Sequence, residues 1–229
     1  MKCIVAFVCI AASLVATAEQ FTTIAVNTRT EHLELFLSDD KGTPFRRLER
    51  LNAWLTSQNK HLRFAMNAGM FKSDLSPVGL FVARERALSP LNLADGRGNF
   101  FLKPNGVFYL TTAGPNIVRS SKYSAVSGRV LLATQSGPLL LENGVVNSAF
   151  STSSRSKYIR NGVGVRGHEA LFVISNAPVT FYEFAMYFRD ELHCRDALYL
   201  DGAVSSLLYP ELRRADSTAD LGPMIGAVK

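Results

Sequence analysis

Four short segments of the sequence place a polar or charged side chain beside a glycine, where a predicted strand ends. The segments are FAMNAGMF, LLATQSGPLLL, YIRNGVGV and ALYLDGAVSS, and their polar residues are Asn67, Ser136, Arg160, Asn161 and Asp201. Glycine allows a sharp turn and the close approach of a ligand, and rigid strand ends are favoured ligand sites. A carboxylate can act as nucleophile or base, and a guanidinium can hold an anion. Each residue taken alone also fits an ordinary role in a turn.

The middle third of the sequence is strongly basic. Residues 96–168 contain nine Lys or Arg residues and one acidic residue, Glu142. This excess favours an anionic ligand such as phosphate, a phosphodiester or an acidic glycan. The alternative is a solvated basic face. Nucleic acid is not an expected partner, because the sequence contains neither a recognition-helix pattern nor an aromatic RNA-binding pattern.

Several other reactive residue types fit structural roles. Thr180 and Glu183 have the spacing of a capping box, so we assign Glu183 to a helix start. Cys194 is expected to be a small buried hydrophobe near the end of that helix. The four histidines match no metal-ligand spacing, and we predict neither a metal nor a cofactor. These histidines are His32, His61, His168 and His193.

A strand-rich core with two main helices must position the polar groups. Thr43-Pro44 predicts the start of the first helix, with threonine as cap, and apolar spacing predicts the second helix over residues 181–192. The predicted strands cover residues 21–27, 33–37, 63–66, 79–83, 100–103, 106–111, 130–135 and 170–175, and a further strand leads to Asp201. The pattern indicates an α+β fold with a mixed β-sheet core.

The first 18 residues are typical of a signal peptide. Lys2 precedes a mostly apolar stretch at residues 4–15, and Ala16-Thr17-Ala18 has the form of a signal peptidase site. The stretch is too short to span a bilayer as a stable helix; a retained N-terminal anchor is the alternative. We expect an exported protein, periplasmic or secreted, with one domain over residues 19–229 and no membrane span after cleavage.

The four segments, together with others in the same order, resemble the phosphodiester glycosidase family. The matching stretches are MNAGMF with PVGLFV, GNFFLKPNGVF, ATQSGPLLL with Asn143-Gly144, RNGVGV, and ALYLDGAVSS after its helix, over about residues 65–209. The resemblance implies a mixed α/β fold. It also implies hydrolysis of a sugar that is joined through its anomeric oxygen to a phosphodiester.

The residues support part of a mechanism for that reaction. Ordinary glycosidases use two carboxylates, whereas Asp201 is the one well-placed carboxylate here. The leaving phosphate monoester is already acidic, with a second pKa of about 6, so it needs charge stabilisation more than a strong acid. We predict Asp201 as nucleophile or base and Arg160 as the stabilising group, helped by Arg155 or Lys157. The predicted substrate-binding residues are Asn67, Gly69, Ser136, Gly137, Arg155, Asn161, Gly202 and Ser205.

Two other functions remain open from the sequence. A non-catalytic envelope module that binds an anionic glycan or phosphate would need the arginines but not Asp201. A metal-dependent phosphodiesterase would use Asp201 as an oxygen ligand, although a lone aspartate makes a poor metal site.

Overall fold

The structure, a computed structural model, describes residues 20–217 and 219–229. The predicted signal peptide at residues 1–18 lies outside the described residues. Two α-helices lie within them: α1 (Leu48–Ser57) and α2 (Phe181–Met186), the second continuing into a π-helical turn at Tyr187–Glu191. The sixteen strands of the described residues are β1 (Phe21–Asn27), β2 (His32–Phe36), β3 (Leu62–Asn67), β4 (Phe81–Ala83), β5 (Arg86–Ser89), β6 (Gly106–Thr111), β7 (Gly114–Arg119), β8 (Val130–Ser136), β9 (Leu139–Glu142), β10 (Val145–Val146), β11 (Asn161–Arg166), β12 (Glu169–Ser175), β13 (Asp196–Tyr199), β14 (Leu207–Tyr209), β15 (Arg214–Ala215) and β16 (Met224–Val228).

The strands form three sheets. One has six strands in the order β1-β12-β11-β13-β9-β10, and two have five strands each, in the orders β15-β14-β3-β16-β2 and β5-β4-β8-β6-β7. Between β13 and β14 the chain leaves the six-stranded sheet and enters the first five-stranded sheet. Asp201 lies in this crossing, which we call the Asp201 loop (residues 200–206).

The main core contains apolar side chains from all three sheets, including Phe64, Phe108 and Phe172. The two helices cover other faces: α2 packs on the six-stranded sheet, and α1 packs on the sheet that contains β3. This arrangement of a β-sheet core with two helices confirms the predicted α+β fold. Both helices bury an apolar stripe, as helical spacing of apolar residues requires.

The predicted start of the first helix is wrong. The helix begins at Leu48, and Pro44 instead forms an isolated antiparallel bridge with Ser38. Arg46 has a φ of 63°, a left-handed conformation that a right-handed helix cannot include. Phe45 is buried and its N–H donates to the Leu37 carbonyl, so packing of this aromatic ring against the sheet overrides the Thr-Pro start signal.

The strand predicted at residues 100–103 is also wrong. A 3₁₀ turn at Asn99–Phe101 occupies this place, with N–H groups bonded three residues back along the chain. Pro104 follows and has no N–H for a sheet ladder. The apolar run therefore packs as a turn, and Phe100 is buried.

Gly162 is part of a strand rather than of the predicted turn. Asn161 begins β11, and Gly162 and Gly164 lie within it. A Cβ atom added at Gly164 would lie 2.6 Å from Cys194 Sγ and 2.7 Å from Phe188 Cδ1. Glycine here lets the helical segment after α2 pack closely on the sheet.

Candidate functional site

A cavity of about 840 Å³ opens where the six-stranded sheet, the start of α2 and the Asp201 loop meet. Three of the predicted site residues line it: Arg160, Gly202 and Ser205. The other lining residues are Asn99, Ser156, Tyr158, Ile159, Ser175, Asn176, Phe181, Tyr199, Ala203, Arg214 and Asp216. We call it the Arg160 cavity. Its polar and aromatic lining is suited to a polar ligand with one charged group.

Arg160 is the most constrained charged residue of the cavity. Its side chain is 2% exposed, and its guanidinium carbon lies 3.7 Å from the centre of the Phe181 ring. Tyr158 and Tyr199 stand at 5.6 and 5.5 Å, so three aromatic rings surround the cation. Nε donates to the Val179 carbonyl at 2.8 Å and Nη2 donates to the Ser156 carbonyl at 3.1 Å.

No carboxylate among the described residues balances the charge of Arg160. Within the part of the chain that the structure describes, none of the ion pairs includes it. Burial lowers the pKa of the guanidinium, yet arginine keeps its proton in proteins. A buried cation without an anionic partner is costly. An anionic ligand in the cavity would lower that cost.

The second arginine of the cavity is already neutralised. Arg214 donates to Asp216 at 2.9 and 3.1 Å and to Asn176 at 2.7 Å. The charged lining residues are therefore Arg160, Arg214 and Asp216, which leave one net positive charge. That charge matches a phosphodiester, which carries one negative charge, better than a phosphomonoester, which carries about −1.5 to −2 at neutral pH.

Asp201 lies beside the cavity and is held loosely. Its carboxylate accepts one hydrogen bond, from the N–H of Ala203 at 3.3 Å. Burial raises the pKa of this carboxyl group. Gly202 and Ala203 line the cavity, whereas Asp201 itself does not.

Gly202 is required by Tyr199. A Cβ atom added at Gly202 would lie 1.8 Å from the Tyr199 hydroxyl oxygen and 2.6 Å from the ring carbon that bears it. The sequence predicts that this glycine keeps space open for a ligand, but that space holds the tyrosine ring. Burial raises the pKa of Tyr199 to about 12, so its hydroxyl remains a neutral hydrogen-bonding group at physiological pH.

Asn67 and Asn161 form a buried amide pair beneath the Asp201 loop. Asn161 Nδ2 donates to the backbone oxygen of Asn67 at 2.9 Å and to Asn67 Oδ1 at 3.1 Å. Ser205 Oγ donates to Asn161 Oδ1 at 3.3 Å. Neither amide lines the cavity. The structure thus brings both residues to the site as support for the loop.

Gly69, Ser136 and Gly137 do not line the Arg160 cavity. Gly69 allows close packing, since an added Cβ would lie 2.4 Å from the Gln135 carbonyl oxygen, and one at Gly137 would lie 2.6 Å from Asn105 Cβ. Ser136 is fully buried, and its hydroxyl has no hydrogen-bond partner among the described residues. Their substrate-binding roles stay predictions.

The two predicted helper cations do not line the Arg160 cavity. Arg155 is exposed, and Lys157 pairs with Glu183 at 3.0 Å. Glu183 completes the predicted capping box: its carboxylate accepts from Thr180 N at 2.7 Å, and Thr180 Oγ1 accepts from Glu183 N at 3.1 Å. Cys194 is buried as predicted, and burial raises its pKa to about 12.

Sequence reasoning missed the aromatic residues around Arg160. Tyr158 lies two positions before the arginine, and Phe181 opens α2 more than twenty positions later. The sequence offers one clue, the amphipathic second helix, whose first apolar residue must face the sheet. It gives no spacing rule that would place Phe181 on Arg160.

No group of three or more His, Cys, Asp or Glu side chains in residues 20–217 and 219–229 is arranged to hold a metal ion. No helix of this part of the chain combines the length and apolar character needed to cross a membrane.

Comparison with known proteins supports the resemblance seen in the sequence. A model of the phosphodiester glycosidase family matches residues 60–226. A protein of Escherichia coli (strain K12), named uncharacterized protein YigE, is 38% identical over 183 residues, which cover 80% of this chain and 71% of that protein.

Two solved structures share the fold. A hypothetical protein from Synechocystis has a TM-score of 0.57 at 16% identity, covering 91% of this chain and 59% of that one. The zebrafish N-acetylglucosamine-1-phosphodiester alpha-N-acetylglucosaminidase catalytic domain, auto-inhibited by its pro-peptide, has a TM-score of 0.56 at 12% identity, covering 90% and 87%. The described chain thus spans 59% of the Synechocystis protein and most of the zebrafish domain.

Proposed function

Since the chain belongs to the phosphodiester glycosidase family, we propose that it is an exported hydrolase that releases a sugar from a sugar-1-phosphodiester. The substrate would be an envelope or extracellular glycan. The signal-peptide pattern of residues 1–18 supports the location, periplasmic or secreted. The observation that carries the activity is Arg160: a buried cation without a carboxylate partner in the described residues, on the wall of a cavity with room for a sugar phosphodiester.

In the proposed reaction, Arg160 binds the phosphodiester and stabilises the charge that grows on the leaving phosphate. Two of its N–H groups are used by the Val179 and Ser156 carbonyls, and a guanidinium has five N–H donors. The remaining donors can bond phosphate oxygens. Because the guanidinium is fixed before substrate arrives, little reorganisation is needed when charge develops.

Asp201 acts on the anomeric carbon, as nucleophile or as the base that activates water. Its raised pKa, caused by burial, makes the carboxylate a stronger base than an exposed aspartate. The bond between the anomeric carbon and the phosphate oxygen breaks, and the phosphate monoester leaves with the electron pair. Water supplies the hydroxyl group of the released sugar.

A non-catalytic phosphate- or glycan-binding module is the second candidate. One observation favours it: Arg160 lines the cavity, but Asp201 does not. Such a module would bind the same ligands without turnover.

A screen of sugar-1-phosphodiesters for released reducing sugar tests the proposal. We expect release by the purified mature protein, with and without a chelator. Binding of an unreactive phosphodiester analogue without any release would favour the binding module. Release that a chelator abolishes, and that a divalent metal restores, would favour a metal-dependent phosphodiesterase.

A further inference from the structure

The side chain of Asn67 bonds to both ends of the Asp201 loop. Nδ2 donates to the Asp201 carbonyl oxygen at 2.6 Å, and Oδ1 accepts from the Ser206 N–H at 2.9 Å. Asn67 is the last residue of β3, in a different sheet from the strand that leads to Asp201. One side-chain amide therefore forms hydrogen bonds with the backbone near both ends of the loop, as the backbone of a neighbouring strand would.

The backbone beside Asn67 strengthens the same connection. The N–H of Asp201 donates to the Ala68 carbonyl at 3.2 Å. The peptide groups on both sides of the Asp201 Cα atom are thus bonded to consecutive residues at the end of β3. The carboxylate, by contrast, accepts a single hydrogen bond among the described residues, from Ala203 N at 3.3 Å.

Asn67 has no hydrogen-bonding capacity left for a ligand. An amide side chain has two donors and an oxygen with two lone pairs. The Nδ2 donors reach the Asp201 carbonyl and Asn161 Oδ1, the latter at 3.4 Å. The Oδ1 lone pairs accept from Ser206 N and Asn161 Nδ2. Asn67 is 1% exposed and absent from the cavity lining.

We propose that Asn67 is a positioning residue that fixes the backbone of the Asp201 loop, in place of the substrate-binding role predicted from the sequence. Asn161 orients the Asn67 amide through its two bonds to it. The loop backbone stays fixed while the Asp201 carboxylate remains able to rotate. We call the two bonds of the Asn67 side chain, to the Asp201 carbonyl and the Ser206 N–H, the Asn67 clamp. The effect of this clamp on catalysis rests on the proposed function, whereas its effect on the loop backbone can be measured without substrate.

Hydrogen exchange of the Asp201 loop in Asn67→Ala tests the clamp directly. We expect the Ser206 amide, whose acceptor is removed, to exchange about tenfold faster or more, the scale of one lost buried hydrogen bond. The Asp201 amide keeps its bond to the Ala68 carbonyl, so it should exchange faster by a smaller factor, as the loop loosens. Asn147→Ala is the matched control, because Asn147 also donates to one carbonyl, of Leu139, and accepts from one N–H, of Ala149. It should leave exchange in the loop unchanged. Equal exchange in Asn67→Ala and wild type overturns the proposal.

The kinetic constants separate positioning from contact with the ligand. In Asn67→Ala we expect kcat to fall about 10- to 100-fold, because small displacements of a reacting group are costly, with KM changed less than about threefold. A rise in KM at unchanged kcat would overturn the proposal in favour of a sugar contact.

Asn67→Asp provides a second variant if Asn67→Ala does not fold. It keeps the acceptor for Ser206 but places a carboxylate oxygen against the Asp201 carbonyl, so exchange should accelerate at Asp201 more than at Ser206. Equal acceleration at both amides, or none, contradicts the clamp. If the wild type hydrolyses no sugar phosphodiester, the proposed function fails. Hydrogen exchange alone then decides whether Asn67 fixes the backbone of the Asp201 loop.

Discussion

The wall of the cavity that carries Arg160 and the loop that carries Asp201 hold their charged groups in opposite ways. At the wall, the guanidinium itself is fixed by two carbonyls and a stacked Phe181 ring. In the loop, the backbone is fixed by Asn67 and Ala68, while the carboxylate accepts one long hydrogen bond, from Ala203 N. A group that binds a constant charge benefits from rigidity. A group that must form or accept a bond during the reaction needs unused bonding capacity and freedom to turn.

The largest expected effect comes from removing the charge of Asp201. Asp201→Asn keeps the size of the side chain, so turnover should fall about 100-fold or more, the scale of general base or nucleophilic catalysis. Binding of an unreactive phosphodiester analogue should persist, because Arg160 is untouched. Steady-state kinetics and calorimetry on the same sample measure both. Intact turnover per folded molecule would end the assignment of Asp201.

A smaller effect on activity is expected from substitution of Arg160. Arg160→Lys keeps the charge but loses the planar guanidinium group. With it go the stacking on Phe181 and the bonds to two backbone carbonyls. Weaker charge-assisted hydrogen bonds, to the bound phosphodiester and to the leaving phosphate, should raise KM and lower kcat. We expect kcat/KM to fall about 10- to 100-fold, with a lower melting temperature. Arg129→Lys, an exposed arginine paired with Glu85, is the control and should change neither. Wild-type kcat/KM in Arg160→Lys would show that the planar guanidinium group does not bind phosphate.

The dependence of stability on pH tests the role of the Asp201 carboxyl group in a different way. The pKa of Asp201 is raised by burial, so its neutral form favours folding, and this stability is lost as pH rises through the folded-state pKa. Asp201→Asn should therefore melt at a higher temperature than wild type at pH 7. The difference should shrink as pH falls and the wild-type carboxyl group becomes protonated. A variant less stable than wild type at pH 7 would indicate that the carboxylate mainly holds its turn.

The smallest effect is expected from substitution of Glu183, in the first turn of α2. Glu183→Gln can still accept from Thr180 N and keeps the capping box, although it loses the charge opposite Lys157. An exposed ion pair of this kind contributes little, so activity and melting temperature should stay near wild type. A 100-fold loss of turnover at unchanged melting temperature would instead identify Glu183 as a second catalytic carboxylate.

Much of the fold could be predicted from the sequence, because local apolar patterns determine it. The bounds of β1 and β6 were predicted correctly, and the apolar spacing of α2 and its Thr180–Glu183 cap predicted where that helix starts. The errors arose where distant packing prevails over local signals. Thr43-Pro44 does not start α1, because Phe45 is buried against the sheet. Gly162 does not form the predicted turn but lies within β11, where Phe184 packs against it.

The candidate site was harder to predict than the fold. The structure brings three of the predicted site residues, Arg160, Gly202 and Ser205, to one cavity, and their roles in binding and catalysis stay predictions. The amide of Asn67 was predicted at the site, but its bonds to the Asp201 loop cross from one sheet to another. Such bonds depend on which strands become neighbours, and local patterns of apolar and turn residues do not show that.

Hydrolysis in ¹⁸O-labelled water tests the central claim, that the glycosidic bond rather than a phosphate ester bond is cleaved. The sugar and phosphate products of a sugar-1-phosphodiester would be analysed by mass spectrometry soon after a single turnover. Free sugars exchange their anomeric oxygen with water, so the phosphate monoester is the decisive product. Attack at the anomeric carbon, with Arg160 holding the leaving phosphate, predicts a phosphate monoester without ¹⁸O. One ¹⁸O atom in the phosphate monoester would show attack at phosphorus and would contradict the account.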